Sequence, residues 1–320
     1  MCVLNDFLMI HIEHFTFNSF QTRCSVVWDD SGVCAFVDPG CASAAELSRL
    51  TAFTASRGLR PAAIMLTHAH FDHIYGVDAL VREYGIPVYM HPDEVYTLRN
   101  TNPYVCRMYG LPEPETAFAD GLLSGSAVGA ASELGCGPIS EPGCGPDSGL
   151  GCGSGDETAS GPACGSVSEK ACGPDSGLGC GSGDETASGP ACGSVNEKAC
   201  GPASGLVTVV EGDVIKVGTL RFEVIETPGH TAGGICLFER EDGVLFTGDT
   251  LFAGAIGRTD HPGGDYDQLM KSIIQKLLPL DSPAAPRNIT VVPGHGPCSD
   301  LATEGMTNPF LMPFNEPYED

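Results

Sequence analysis

The chain has 320 residues, room for one large or two ordinary domains, and its 41 acidic against 16 basic residues give a net charge of −25. Such a surface repels phosphate backbones, which argues against nucleic-acid partners and favours a small-molecule substrate. No run of eighteen apolar residues occurs, and Met1 to Phe20 lacks a basic leader and a small-residue cleavage site, so a cytoplasmic protein with no membrane partner is expected.

Residues 8–17 (LMIHIEHFTF) alternate imperfectly, and 25–28 and 33–37 are short apolar or β-branched runs separated by Asp29-Asp30-Ser31-Gly32, which predicts antiparallel strands with a tight turn. His11 and His14 fall inside this pattern as strand-face residues. Ser43 to Arg57 carries apolar residues at helical spacing, with Gly58 beyond the last turn, and delivers the chain to a strand at 62–66. Directly after that strand comes THAHFDH, Thr67 to His73. A solvated loop needs one or two polar residues, not four potential ligands in six positions. Imidazole and carboxylate suit zinc, and also iron or manganese. His68 and His70 alternate by two while Asp72 and His73 are adjacent, so the four cannot face one point and two neighbouring metal positions are the natural geometry.

A helix over 76–84 and a strand over 87–90 follow, and His91-Pro92-Asp93-Glu94 opens another helix with Pro92 at its first position and acids in its first turn. His91 is thereby a helix-start residue rather than a ligand. Residues 121–205 are dominated by Gly, Ser, Ala, Pro, Asp and Cys and cannot bury enough apolar surface to offset the entropy of ordering. They hold two 28-residue copies, 144–171 and 172–199, that differ only at Ser168 and Asn196. Their eight cysteines follow the repeat period and lack the CxxC knuckle of a zinc site. A disordered insertion at 121–205 in one domain formed by 1–120 and 206–320 is expected. That segment carries ten acids and two lysines, so the rest keeps a net charge near −17. The other seven cysteines, irregularly spaced, read as packed or surface thiols of a reducing compartment.

Strands are predicted over 207–210, 214–217, 220–226, 235–238, 244–247 and 289–292, with an amphipathic helix over 265–278. His230, Asp249 and His295 each come just after a strand-like run and next to a glycine. That is the pattern of a site built on one rim of a sheet sandwich.

The HxHxDH run of His68, His70, Asp72 and His73, followed in order by Pro228-Gly229-His230-Thr231, Thr247-Gly248-Asp249-Thr250 and Pro293-Gly294-His295-Gly296, resembles the metallo-β-lactamase fold. The resemblance implies a four-layer αββα sandwich. It also implies two divalent metal ions: His68, His70 and His230 on the first, Asp72, His73 and His295 on the second, and Asp249 bridging them. Two such ions lower the pKa of a shared water and polarise the carbonyl under attack, with Asp72 both ligating and orienting the attacking hydroxide. Arg258, nine residues after Asp249, is a candidate for an anionic substrate group or for pairing with Asp260.

Within that superfamily, FTGDTLFAGAIGRTDHPGGDYDQL and Thr307-Asn308-Pro309-Phe310-Leu311 look like the glyoxalase II-like hydrolases, which implies a small thioester such as a hydroxyacylglutathione as substrate. His261 stands where a Phe is expected, and the ~25 residues after His295 leave no room for the helical domain with which larger glyoxalase II enzymes grip glutathione. GRTD also occurs in persulfide dioxygenases, which resemble this fold but hold a single iron, here by His68, His230 and Asp249. Retention of all seven ligands leans to hydrolysis. A third alternative makes the cysteine-rich segment the active part, as a thiol-based metal-binding or buffering protein.

Overall fold

The period-two alternation of the strands decides how the molecule is layered. The computed structural model describes residues 10–123, 197–199, 205–281 and 288–312, all within one compact unit. Its first half runs β1 (His11–Phe17), β2 (Thr22–Trp28), β3 (Val33–Val37), α1 (Ala44–Ser56), β4 (Arg60–Met65), α2 (Phe71–Ile74), α3 (Val77–Tyr84) and β5 (Val88–Met90). A helical stretch over 94–109 follows, made of α4 (Glu94–Tyr96), a π turn at Thr97–Thr101 and α5 (Asn102–Tyr109), and then α6 (Asp120–Leu123). The second half runs β6 (Glu197–Ala199), β7 (Leu206–Thr208), β8 (Val214–Val217), β9 (Leu220–Glu226), β10 (Ile235–Glu239), β11 (Val244–Gly248), the short hairpin β12 (Leu251–Phe252) and β13 (Ala255–Ile256), and α7 (Tyr266–Ser272). It closes with β14 (Thr290–Pro293), β15 (Ser299–Asp300) and α8 (Leu301–Thr307).

One sheet has the order β1-β2-β3-β4-β5-β7, the other β15-β14-β11-β10-β9-β8-β6. In β3, Ala35 and Val37 face one side and Cys34 and Phe36 the other; in β10, Ile235 and Leu237 face one side and Cys236 and Phe238 the other. The first member of each pair meets in a single buried cluster between the sheets, where Met65, Tyr89, Phe222 and Phe246 also lie. Cys34 and Phe36 pack against Leu50 of α1 and Leu80 of α3, while Cys236 and Phe238 pack against Leu269 of α7 and Leu301 of α8. Three apolar clusters between four layers make the expected αββα sandwich.

Local signals account for the element ends. Ser43 and Asp265 accept hydrogen bonds from Glu46 N and Gln268 N as N-caps, and Gly85 closes α3 in the left-handed region. β4 begins at Arg60, earlier than its apolar run, because Pro61 falls where the β3–β4 register shifts and no amide donor is required. The expectation of no structure between 121 and 205 needs correcting at its two ends: α6 runs on to Leu123, and Glu197–Ala199 pairs in parallel with β8 at the edge of the second sheet. An edge strand needs only backbone groups facing a free ladder, so the lack of large apolar residues does not prevent it. The remaining repeats lie outside the described residues. Cys24, Cys34, Cys41, Cys106 and Cys236 are buried free thiols and Cys298 is exposed. No helix among the described residues is long and apolar enough to cross a membrane.

Candidate metal centre

Four loops at strand C-termini converge on one rim. β4 leads into His68 to His73, β9 into His230, β11 into Asp249 and β14 into His295. β11 and β14 are parallel, and β9 shares their direction because both β9 and β11 are antiparallel to β10. The two sheets are tied beside the site by Ile235 N donating to Thr67 O at 2.8 Å.

The residues gather in two groups. His70 Nδ1 and His230 Nε2 lie 2.9 Å apart, and with His68 their ligating atoms fall within 4.8 Å of one another. Asp72 Oδ2 is 3.6 Å from His73 Nε2 and 3.4 Å from His295 Nε2, and the two Nε2 atoms are 3.3 Å apart. Asp249 stands between the groups, with Oδ2 3.5 Å from His230 Nε2 and 3.4 Å from His295 Nε2, and Oδ1 3.5 Å from His73 Nε2. Only a glycine fits beside it at 294, where a Cβ would lie 2.4 Å from Asp249 Oδ1.

The donor set fits a cation. His68 Nε2 and Asp249 Oδ1 are buried without a hydrogen-bond partner, and each such group costs about 1–3 kcal/mol if left so. Burial lowers the pKa of His68 and His70 well below the ordinary imidazole value, which keeps them in the neutral, ligating form. Burial works in the same sense on His295, but Asp249 and Asp72 outweigh it and raise the ring to about 11. For Asp72, burial pushes the carboxyl up while His73 and His295 outweigh it and hold it at about 2. Positive charge is therefore strongly favoured in the Asp72, His73 and His295 group.

Surrounding groups aim the rings. His230 Nδ1 donates to the Arg258 carbonyl at 2.7 Å and His295 Nδ1 to the Phe20 carbonyl at 3.0 Å. A carbonyl only accepts, so each Nδ1 carries a hydrogen and Nε2 is the nitrogen turned inward, where on His295 a cation would displace the proton that Asp249 and Asp72 favour. His73 Nδ1 lies 3.2 Å from Asp38 Oδ2. Asp38 also forms a ligand-like group with His68 and His73, but its oxygens already accept from Thr67 N at 2.8 Å and Thr67 Oγ1 at 2.6 Å. That assigns it to holding the loop.

Glu94, fully buried, accepts from Ala69 N at 2.7 Å, Thr231 Oγ1 at 2.5 Å and Gly233 N at 3.1 Å, joining the loops that carry His70 and His230. Sequence reasoning passed over Thr22, Asp38, Glu94 and Asn102. Of these only Asp38, a polar residue at a strand's C-terminal end on the same rim, carried a local signal. Arg258 is paired bidentately with Asp260 at 2.7 Å through both Nε and Nη2, so a substrate anion would compete with that carboxylate. His261 sits at the edge, its ring 6.2 Å from that of His70. His91 donates from Nε2 to Glu226 at 3.0 Å and accepts from Asp93 N, as a helix-start residue does.

The family model of the metallo-beta-lactamase superfamily matches residues 18–158 and 183–295. The chain belongs to the metallo-beta-lactamase superfamily. Proteins of this superfamily bind divalent metals, typically two, and this chain gathers His/Asp groups that could hold such ions on one rim of the sandwich. Among superfamily members, the chain is 26% identical to the hydroxyacylglutathione hydrolase GloC of Haemophilus influenzae over 302 residues, 94% of this chain and 98% of that protein. It is similar in structure to the BLEG-1 B3 metallo-beta-lactamase, with 27% identity, a TM-score of 0.60 and coverage of 94% of this chain and 100% of the other. TTHA1623, solved in a di-iron-bound form, shares 25% identity with a TM-score of 0.57, over 93% of this chain and 100% of its own.

Proposed function

We propose that the chain is a glyoxalase II-like hydrolase that cleaves a small thioester such as a hydroxyacylglutathione. In this assignment His68, His70 and His230 hold one divalent ion, Asp72, His73 and His295 the other, and Asp249 reaches both. The observation that carries it is the completeness of both groups around one buried carboxylate. Likeness to GloC supports the thioester class.

Bound ions would supply carbonyl polarisation and an acidified water, so no serine or cysteine nucleophile is required. The chain's own residues do the placing. Thr22 Oγ1 donates to Asp72 Oδ2 at 2.6 Å and fixes the carboxylate that orients the attacking water. The Arg258 and Phe20 carbonyls keep His230 and His295 in the ligating tautomer. Phe20 and Phe71, ring centroids 5.1 Å apart, form an apolar wall by the second group.

Elemental analysis of the purified chain, run beside hydroxyacylglutathione hydrolysis and oxygen uptake with glutathione persulfide, tests this. Two ions per chain are expected, of zinc, iron or manganese, with thioester cleavage that a chelator abolishes. One iron per chain with persulfide-dependent oxygen uptake would instead assign the persulfide dioxygenase chemistry to His68, His230 and Asp249.

A further inference from the structure

We infer that the β1–β2 turn, Asn18 to Thr22, positions one half of the metal centre only, the Asp72, His73 and His295 half, so that its occupancy can be altered while the other half is kept. This rests on the two-ion assignment above. Three independent bonds connect the turn to that half. Thr22 Oγ1 donates to Asp72 Oδ2 at 2.6 Å, and this is the same oxygen that faces His73 Nε2 and His295 Nε2. Asn18 Nδ2 donates to the Asp72 carbonyl at 2.9 Å and to the Gly40 carbonyl at 2.9 Å. The Phe20 carbonyl accepts from His295 Nδ1 at 3.0 Å. Two of the three ligands are thus held by five consecutive residues, and Asp72 is held through both its side chain and its backbone.

The turn is built for close approach. Asn18 (φ 50°) and Gln21 (φ 57°) both take the left-handed conformation that non-glycine residues rarely adopt. Asn18 Oδ1 accepts from Phe20 N at 2.9 Å and Asn18 N donates to Glu46 Oε1 at 2.8 Å, which fix that shape. At Gly40 a Cβ would lie 2.0 Å from the Asp72 carbonyl, so the loop after β3 closes on Asp72 from the other side. The bonds that orient the other half come from elsewhere: Thr67 Oγ1 at His68 Nδ1, Glu94 between the His70 and His230 loops, and the Arg258 carbonyl at His230. Asp38, which accepts from Thr67 and lies 3.2 Å from His73 Nδ1, touches both halves, whereas of the ligands the bonds of the turn reach only Asp72 and His295.

The Thr22 hydroxyl occupies one lone pair of Oδ2 and leaves the other for a cation, so it selects the rotamer in which Asp72 can ligate. Thr22→Val keeps the shape and the β-branched preference of a strand position but removes the donor. Thr22→Ser keeps the donor.

The test is a zinc titration, with a chromophoric chelator competing, of the wild-type chain and the Thr22→Val, Thr22→Ser and His295→Ala variants; the last identifies the ion belonging to this half. We expect two ions on the wild type. Thr22→Val should weaken the ion that His295→Ala loses by about 10- to 100-fold, leave the other within about twofold, and be rescued by Thr22→Ser. Two ions at wild-type affinity in Thr22→Val, or equal weakening of both, overturns the inference while leaving the two-ion assignment standing. A wild-type chain with one ion overturns both. Should Thr22→Val lose its cooperative melt, Asn18→Gly carries the same test, because it preserves the positive φ and removes the amide that holds the Asp72 carbonyl.

Discussion

Asp249 lies within 3.5 Å of a ring nitrogen of each of His73, His230 and His295, so one carboxylate faces ring nitrogens of both groups. Asp249→Ala is expected to leave the fold intact, since it removes no packed apolar surface. Metal content should fall and turnover drop by more than about 100-fold, beyond what loss of a supporting group costs. Circular dichroism beside elemental analysis and rate measurement checks this, and a variant with both ions and the wild-type rate would refute the assigned role. The seven side chains proposed as ligands were legible in the sequence because each follows a strand and the residue types are restricted to His and Asp. Their supports were not. Glu94 meets Thr231 across 137 positions and Thr22 meets Asp72 across 50, so nothing local to Glu94 or Thr22 marks them. Glu94 even reads as an ordinary first-turn acid of a helix, a role compatible with any surface position.

At the scale of elements, the helical stretch over 94–109 was legible as a helix from Pro92 onward, but its π turn at Thr97–Thr101 was not. The turn has a structural consequence. Seven residues make about two turns of an α-helix, so residues eight apart do not align. A π turn absorbs one residue and brings Glu94 and Asn102 to the same side, both against the ligand loop. Asn102 Oδ1 accepts from Phe71 N at 3.0 Å and its Nδ2 donates to Ala69 O at 2.8 Å, all buried. Asn102→Ala would leave a backbone donor and an acceptor unsatisfied in the loop that carries His70 and Asp72. The expected cost is about 1–3 kcal/mol for each group, less whatever water recovers. Chemical denaturation of the metal-free chain should show a lower midpoint with unchanged m. An unchanged midpoint would mean that the loop holds its shape without this helix.

At the scale of the molecule, the open question is what the repeat segment contributes, and the placement of β6 sharpens it. Glu197–Ala199 belongs with the second sheet, so a deletion meant to spare the domain must stop short of it. Removing 130–193 takes out most of both 28-residue copies and keeps every described residue. The connection between Leu123 and Glu197 then shrinks from 73 residues to nine. Loop-closure entropy changes by about 0.6 kcal/mol per doubling, and three halvings favour the folded state by about 2 kcal/mol if nine residues span the gap without strain. Little packing is forfeited, since the composition of the excised part is glycine and small polar residues with almost no large apolar side chain. Its acids outnumber its lysines, so excision also eases the net repulsion of a chain at −25. The shortened protein is therefore expected to fold, to melt at or slightly above the full-length temperature, and to retain its metal stoichiometry and thioester hydrolysis. A shortened chain that aggregates would make the segment structural, and one that folds with both ions but loses hydrolysis would place part of the repeat at the substrate. If the metal content per chain instead fell in step with the cysteines removed, the thiol-rich segment would itself be a metal-binding element, and the buffering alternative would gain the support that the His/Asp centre now gives to hydrolysis.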